Sequence, residues 1–230
     1  MTNTIAKLEK IYPSNDGQPM AESTEHYQWI VTITGGLEAL FKNDENVFVA
    51  GDLLWYPVKG KPEIRRAPDA MVVFGRPKGA RGSYIQHLED DIAPQVVFEI
   101  LSVGNRILEM SRKFDFYQTY GVEEYYVYDH LSNDLVVWVR NHEKNCLNAV
   151  DDVQNWVSPR LGIRFELTDE SLNIFNPDGT KFLTYLEQVE QKEQALSAAN
   201  AERLAKEQAL DIMAKYAAKL REMGIDTDAL

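Results

Sequence analysis

The chain has 230 residues, with 24 Lys and Arg against 36 Asp and Glu, a net charge of −12, and 44% hydrophobic residues. This is the composition of a globular protein with one sizeable domain and an appendage, and its acidity argues against a protein held to nucleic acid by bulk positive charge. No apolar run approaches the length of a membrane span, the start MTNTIAKLEK lacks the apolar core of a signal peptide, and the single Cys146 excludes an internal disulfide, so a reducing cytoplasm is the expected compartment. Cysteine-rich zinc sites are excluded with it. His26, His87, His130 and His142 show no ligand spacing, and no GxGxxG, Walker or nucleophile-elbow motif occurs.

Residues 1–22 contain Pro13, Asn15, Asp16, Gly17 and Pro19 and read as a loosely structured lead-in. A helix is predicted from Ser23, with His26, Ile30, Ile33, Leu37 and Leu40 on one face. Gly35 and Gly36 interrupt it, each at about 1 kcal/mol relative to alanine, so a close approach to the sheet is expected there. Asn46 to Tyr56 reads as one strand bulged at Gly51, with Asp52 a turn or bulge acid. Between Lys59 and Arg81 stand Lys59, Lys61, Arg65, Arg66, Arg76, Lys78 and Arg81 against Glu63 and Asp69. That is a local positive excess in a chain otherwise near about −17. It reads as a pair of solvated loops or as a phosphate-attracting flank.

Within that stretch RRAPDAMVVF, Arg65 to Phe74, is an apolar strand that opens on Pro68 and Asp69, since proline at a strand start leaves no ladder bond unmade. The chain then places charge where apolar packing is expected. Gln95 to Leu101 is a short apolar run bounded by Pro94 and Gly104, the pattern of a strand covered on both faces, and Glu99 stands inside it on the face of Val97 and Leu101. A buried ionised carboxylate costs several kcal/mol, roughly, unless a partner or metal compensates. A helix follows from about Asn105, with Ile107, Met110, Phe114, Tyr117 and Gln118 at helical spacing and Gly121 as its stop. Glu109, Lys113 and Tyr117 share one face of it. Glu124 to Asp129 is the next strand.

Asp69 at the start of one strand and Glu99 inside another can converge on a divalent cation if the strands are neighbours, with Lys113 reaching the same point. Two carboxylates and water suit Mg²⁺. Each residue also has a plain structural role open to it. Asp69 reads as a cap at a strand start, Glu99 as a buried acid paired with arginine or backbone amides, and Lys113 as an exposed lysine paired with Glu109.

Further strands are predicted at Asp134 to Arg140, after a Ser132-Asn133 turn, and near Cys146 to Val150, Gly162 to Leu167 and Ser171 to Phe175. The Asn-Pro-Asp-Gly turn at 176–179 closes what reads as a small antiparallel extension. Thr184 to Glu187 forms a capping box, and no proline or glycine occurs from there to Met223. Forty helical residues span about 60 Å, too long to be covered by a small domain. Val189, Leu196, Ala199, Leu210, Met213, Ala217 and Leu220 fit a and d positions that Lys192, Arg203 and Lys206 interrupt, so residues 184–230 read as a homodimer contact or as a solvated tail.

Pro68-Asp69, Glu99-Ile100-Leu101-Ser102, Lys113 with Tyr117, and Gly121-Val122-Glu123-Glu124-Tyr125 resemble the bacterial restriction endonuclease family of the PD-(D/E)xK phosphodiesterase superfamily, over roughly Glu22 to Glu187. The superfamily pattern places lysine two residues after the second acid. Here that position is Leu101, and Lys113 on the following helix matches the family's place for it. The resemblance implies an α/β fold, a restriction-endonuclease-like mixed sheet flanked by helices. Residues 1–22 would form an irregular segment, 23–183 the domain with its antiparallel extension, and 184–230 a long helix. It further implies hydrolysis of a nucleic-acid phosphodiester, with DNA the expected partner. Asp69, Glu99 and the Ile100 carbonyl would hold Mg²⁺ or Mn²⁺, and Lys113 would orient water or stabilise the phosphate. His26 stands where the family often has a histidine near the site, but reads here as a satisfied helix-face histidine. Glu25 and Asp52 receive no role. A non-cutting nucleic-acid binder and an interaction protein acting through the long helix are the alternatives.

Overall fold

In the computed structural model the apolar runs pair into a six-stranded mixed sheet. The structure describes residues 9–15, 17, 21, 23–102 and 107–223. Expectations placed on residues 1–8, on Asp16, Pro19 and Glu22, on Gly104 and Asn105, and on the end of the 184–230 segment lie outside them. Helix α1 spans Thr24–Leu40 and starts on Ser23, whose side chain accepts from the His26 amide. Strands β1 (Val47–Ala50), β2 (Trp55–Tyr56), β3 (Ala70–Phe74), β4 (Tyr84–Ile85) and β5 (Val96–Leu101) follow. Helix α2 (Ile107–Thr119) then leads to β6 (Glu124–Asp129), β7 (Asp134–Asn141), β8 (Cys146–Ala149), β9 (Arg164–Leu167) and β10 (Leu172–Phe175), before helix α3 (Tyr185–Glu222).

The sheet order is β1-β3-β5-β6-β7-β8. Only β5 and β6 are parallel, joined across α2, as a parallel pair requires. Both central strands are covered on two faces, which is why they read as unbroken apolar runs. One face packs Ile30, Ile33 and Leu37 of α1 and Phe165 and Ile174 of the β9/β10 hairpin on Val72, Phe98 and Tyr126. The other packs Phe116 and Tyr117 of α2 and the buried Trp55 and Tyr84 on Met71, Val73, Val97 and Tyr125.

Several expectations change in detail. The predicted strand at 46–56 is two strands in different sheets: β1 pairs β3, whereas β2 pairs β4 in parallel. Asp52, at φ 46°, makes the turn between them. Strands β7 and β8 extend the main sheet, and the separate antiparallel piece is β9/β10 alone. Gly36 meets the Phe182 ring rather than the sheet, since a Cβ there would collide with it, while Gly35 has open space beside it. Ile107, expected on the packed face of α2, is 89% exposed. In the lead-in, Tyr12 is buried and stands edge-on to Tyr56. Its hydroxyl accepts from the Gly60 amide at 2.8 Å.

The chain divides into two units, residues 1–182 and 183–230. The second begins with the capping box of Thr184 and Glu187. Its helix α3 buries no residue, and Leu196, Leu210, Met213 and Tyr216 are all exposed. No helix among the described residues is long and apolar enough to cross a membrane.

Candidate active site

The antiparallel register of β3 and β5 pairs Ala70 with Phe98 and Met71 with Val97, so the residue before β3, Asp69, falls opposite Glu99. The Asp69 carboxylate is buried, and its Oδ2 accepts from the Ile100 amide at 2.6 Å. His26 Nε2 lies 3.3 Å from the same oxygen. The Ser23 cap thus has a second effect: by fixing the first turn of α1 it holds His26 against Asp69. Gly51 and Asp52 close the other side. The Asp52 amide donates to the Pro68 carbonyl at 3.0 Å, and a Cβ on Gly51 would press on the Asp69 carbonyl and the Thr34 hydroxyl. Only glycine lets the turn come so near.

Glu99 is 1% exposed on the face under α2. Lys113 Nζ donates to Oε2 at 2.8 Å, and the Tyr117 hydroxyl donates to Oε1. The two donors are one helical turn apart, so a single helix face satisfies both oxygens. The lysine therefore pairs with the buried acid across the helix–sheet contact, and neither Glu109 nor an arginine serves in that place. Arg140 fixes the far end of α2: buried on β7, it donates to the carbonyls of Gln118 at 2.6 Å and Val122 at 2.7 Å, where a helix leaves its last acceptors unmade.

Burial pushes the Glu99 carboxyl up to about 7; the Lys113 ammonium pulls it down, and the Asp69 charge pushes it up again. Burial acts to lower Lys113, but the charge and hydrogen bond of Glu99 outweigh it and raise the ammonium above its ordinary value. Lys113 is therefore a fixed cation. Glu99 is a carboxylate whose donors are in place but whose water is gone and whose neighbour is another acid.

These donors can be weighed against a hard divalent cation. Mg²⁺ takes oxygen ligands, keeps several waters and usually takes one or two protein carboxylates. Asp69 and Glu99 are such a pair on adjacent strands, and among the described residues no hydrogen bond falls on Asp69 Oδ1. Among the described residues no group of three or more His, Cys, Asp or Glu is placed to hold a metal. A two-carboxylate, water-rich site fits the residues present.

The Uma2 family model, described as "Putative restriction endonuclease", matches residues 12–174. The chain belongs to this family. The match holds the sheet, α1, α2 and all three expected site residues. A solved structure described as "a putative nuclease belonging to DUF820 from Anabaena variabilis ATCC 29413" is similar at a TM-score of 0.44 and 14% identity, covering 64% of this chain and 79% of that one. No curated protein matches.

Within this restriction endonuclease family fold, the other singled-out residues separate. His26 stands at Asp69, a place that helix periodicity left indistinguishable from an ordinary helix-face position. Glu25 instead lies 3.7 Å from His130, and Asp52 acts at the site through its backbone. The basic stretch is largely engaged inside the fold. Arg76 Nε donates to Glu89 at 2.9 Å and its Nη1 to Asp90, Arg81 Nε donates to Glu89 at 2.7 Å, and Lys78 donates to the Phe41 carbonyl at 2.6 Å. Neither the acidic partners nor the carbonyls adjoin these cations in sequence, so charge counting could not foresee the pairing.

Proposed function

We propose that the protein is a metal-dependent endonuclease that hydrolyses nucleic-acid phosphodiester bonds, with DNA as its substrate and the cytoplasm as its compartment. The observation that carries this reading is the convergence on Glu99: Asp69 opposite it by register and Lys113 bonded to it at 2.8 Å. Asp69 and Glu99 would hold Mg²⁺ or Mn²⁺, which when bound polarises the scissile phosphate and makes a bound water nucleophilic. Hydrolysis adds water to phosphorus and breaks one P–O ester bond, so negative charge gathers on the phosphoryl oxygens. Lys113, raised above its ordinary value, keeps its protons and cannot serve as the base; its role is to steady that charge. Tyr117 holds the second Glu99 oxygen, and His26 and the Ile100 amide hold Asp69 in place.

The net charge of −12 stands against strong non-specific DNA binding, and the engagement of Arg76 and Arg81 with Glu89 removes two of the cations that would offset it. This favours, as a second reading, a nuclease-fold protein whose contact with nucleic acid is brief or depends on association. The exposed apolar residues of α3 support a homodimer through residues 184–230, which would suit cutting of two strands. Calorimetric titration of Mg²⁺ and Mn²⁺ into the wild type, Asp69→Ala and Glu99→Ala, beside cleavage of plasmid and single-stranded DNA, tests the enzyme. Metal uptake lost in both variants, with cleavage that also needs Lys113, supports it. A folded wild type that takes up no metal, with or without DNA, refutes it.

A further inference from the structure

The basic stretch between Lys59 and Arg81 divides in the folded chain. In its second half Arg76 and Arg81 are neutralised by Glu89 and Asp90. In its first half Lys59, Lys61, Arg65 and Arg66 make no ion pair among the described residues, and Glu63 is the one acid that stands among them in sequence. Backbone bonds, not charge pairs, hold this half in place. The Trp55 amide donates to the Arg66 carbonyl at 2.7 Å and the Arg66 amide to the Trp55 carbonyl at 3.2 Å, so residues 57–65 form a loop closed by that bridge. Inside it the Lys61 amide donates to the Val58 carbonyl at 3.3 Å and the Ile64 amide to the Lys61 carbonyl at 3.0 Å, and the Tyr12 hydroxyl holds the Gly60 amide. Lys59 and Lys61 are exposed at the tip of the loop, and Arg65 and Arg66 are partly exposed at its base.

Two features tie the base of the loop to the acid pair. Asp69 follows Arg66 by three residues, so their Cα atoms stand at most about 11 Å apart. The Arg66 guanidinium lies over the Phe116 ring, 5.5 Å from its centroid, and Phe116 is one helical turn from Lys113, the lysine bonded to Glu99. Arg66 Nη1 donates to the Arg65 carbonyl at 2.8 Å and Arg65 Nη1 to the Pro62 carbonyl at 3.1 Å. Each planar fork is thus fixed, while its other N–H groups have no acceptor among the described residues. Forked cations with donors to spare match the oxygens of a phosphate. We propose that the 57–66 loop carries the backbone of the substrate strand: Arg65 and Arg66 hold phosphates beside the scissile one, and Lys59 and Lys61 hold the strand further out. The proposal rests on the nuclease reading and deepens it, since it assigns the surface by which an acidic protein grips a polyanion. Contacts of this kind position a strand without reading its bases, so the loop takes strands of any sequence.

The test uses the full chain with Ca²⁺ in place of Mg²⁺ to bind strands without cutting them, and follows affinity for labelled single-stranded DNA over a series of salt concentrations. Each phosphate contact contributes about 0.7 to the slope of log affinity against log salt on a single strand. Arg65→Gln with Arg66→Gln, and separately Lys59→Gln with Lys61→Gln, should each lower that slope by about 1.4 and weaken binding alike for strands of different sequence. Lys144→Gln, at an exposed lysine in the turn between β7 and β8, should leave the slope as it is. The exposed lysine pair keeps the test decisive even if the arginine variant does not fold. Wild-type slopes in both variants, or in the lysine variant where the arginine variant is unfolded, overturn the loop as the contact, and Mg²⁺-dependent cleavage by the wild type then leaves the nuclease reading standing. A wild type that binds no strand overturns the loop as well, and one that also takes up no metal and cuts nothing overturns both. Polyglutamate bound as tightly as a strand of equal charge makes the loop a docking surface for an acidic protein and also overturns the proposal.

Discussion

Two buried glutamates lie on neighbouring strands of the same sheet, and they are buried in different ways. Glu124, at the start of β6, is 1% exposed, like Glu99, and burial pushes its carboxyl upward too. Its oxygens accept from the hydroxyls of Ser158 and Tyr126 and the amide of Arg160, all of them parts of the scaffold. No acid opposes it: the register sets it against Val96 and Val139. Glu99 instead has a lysine, a tyrosine and, across the ladder, Asp69. Burial with hydrogen bonds is therefore what a structural acid needs. The second acid raises the energy of the first although it is itself tied to the Ile100 amide and His26, and the two together are the pair that the proposed cation would use.

The widest separation between the two acids is expected in catalysis. Asp69→Asn and Glu99→Gln should each lower Mg²⁺-dependent cleavage by at least about a hundredfold, judged from single-residue losses at charge-stabilising sites. Glu124→Gln should cleave as the wild type does wherever it is folded. Cleavage that falls equally in all three would erase the distinction.

In stability the two acids should come closer together. Lys113→Met leaves Glu99 buried without its cation and should cost about 3 kcal/mol in urea denaturation at neutral pH. Glu124→Gln turns one amide donor towards donors that expect an acceptor, and should cost about 2 kcal/mol.

The pH response sharpens the same contrast. Because burial and the Asp69 charge lift Glu99 to about 7 from an ordinary 4.5, against the pull of Lys113, its protonated form favours the fold. That contribution is full below about 4.5 and is lost as pH rises through about 7. Denaturation curves taken from pH 5 to pH 8 should show the wild type falling relative to Glu99→Gln, and Mg²⁺ should restore it at the upper end. Parallel curves for the two proteins would remove the electrostatic tension from the account. The smallest effect should come from Ser158→Ala, which removes one of three donors to Glu124 and should cost about 1 kcal/mol with no change in cleavage.

Much of this site was legible in the residues because its elements are local. Glu99 inside an apolar run, Lys113 and Tyr117 one turn apart, and the positive φ of Gly121 ending the helix all follow from periodicities of two and 3.6 and from turn chemistry. His26 was not separable in this way, because contact with Asp69 depends on how the first turn of α1 meets the start of β3, forty-three residues away. The fate of the basic stretch was hidden for the same reason: Glu89 and Asp90 reach Arg76 and Arg81 only after the chain folds back.

By itself the sequence determined the central strand–helix–strand unit, the capping box that opens α3, the family, and the three residues proposed to act. Each of these depends on neighbours within a few turns or a few alternations of the chain. Tertiary structure alone decided that 46–56 divides between two sheets at the Asp52 turn, that Gly36 is kept bare for Phe182, and that Asp69 falls opposite Glu99. These are outcomes of register and long-range packing, and a one-residue slip in pairing would have turned either acid to the other face of the sheet.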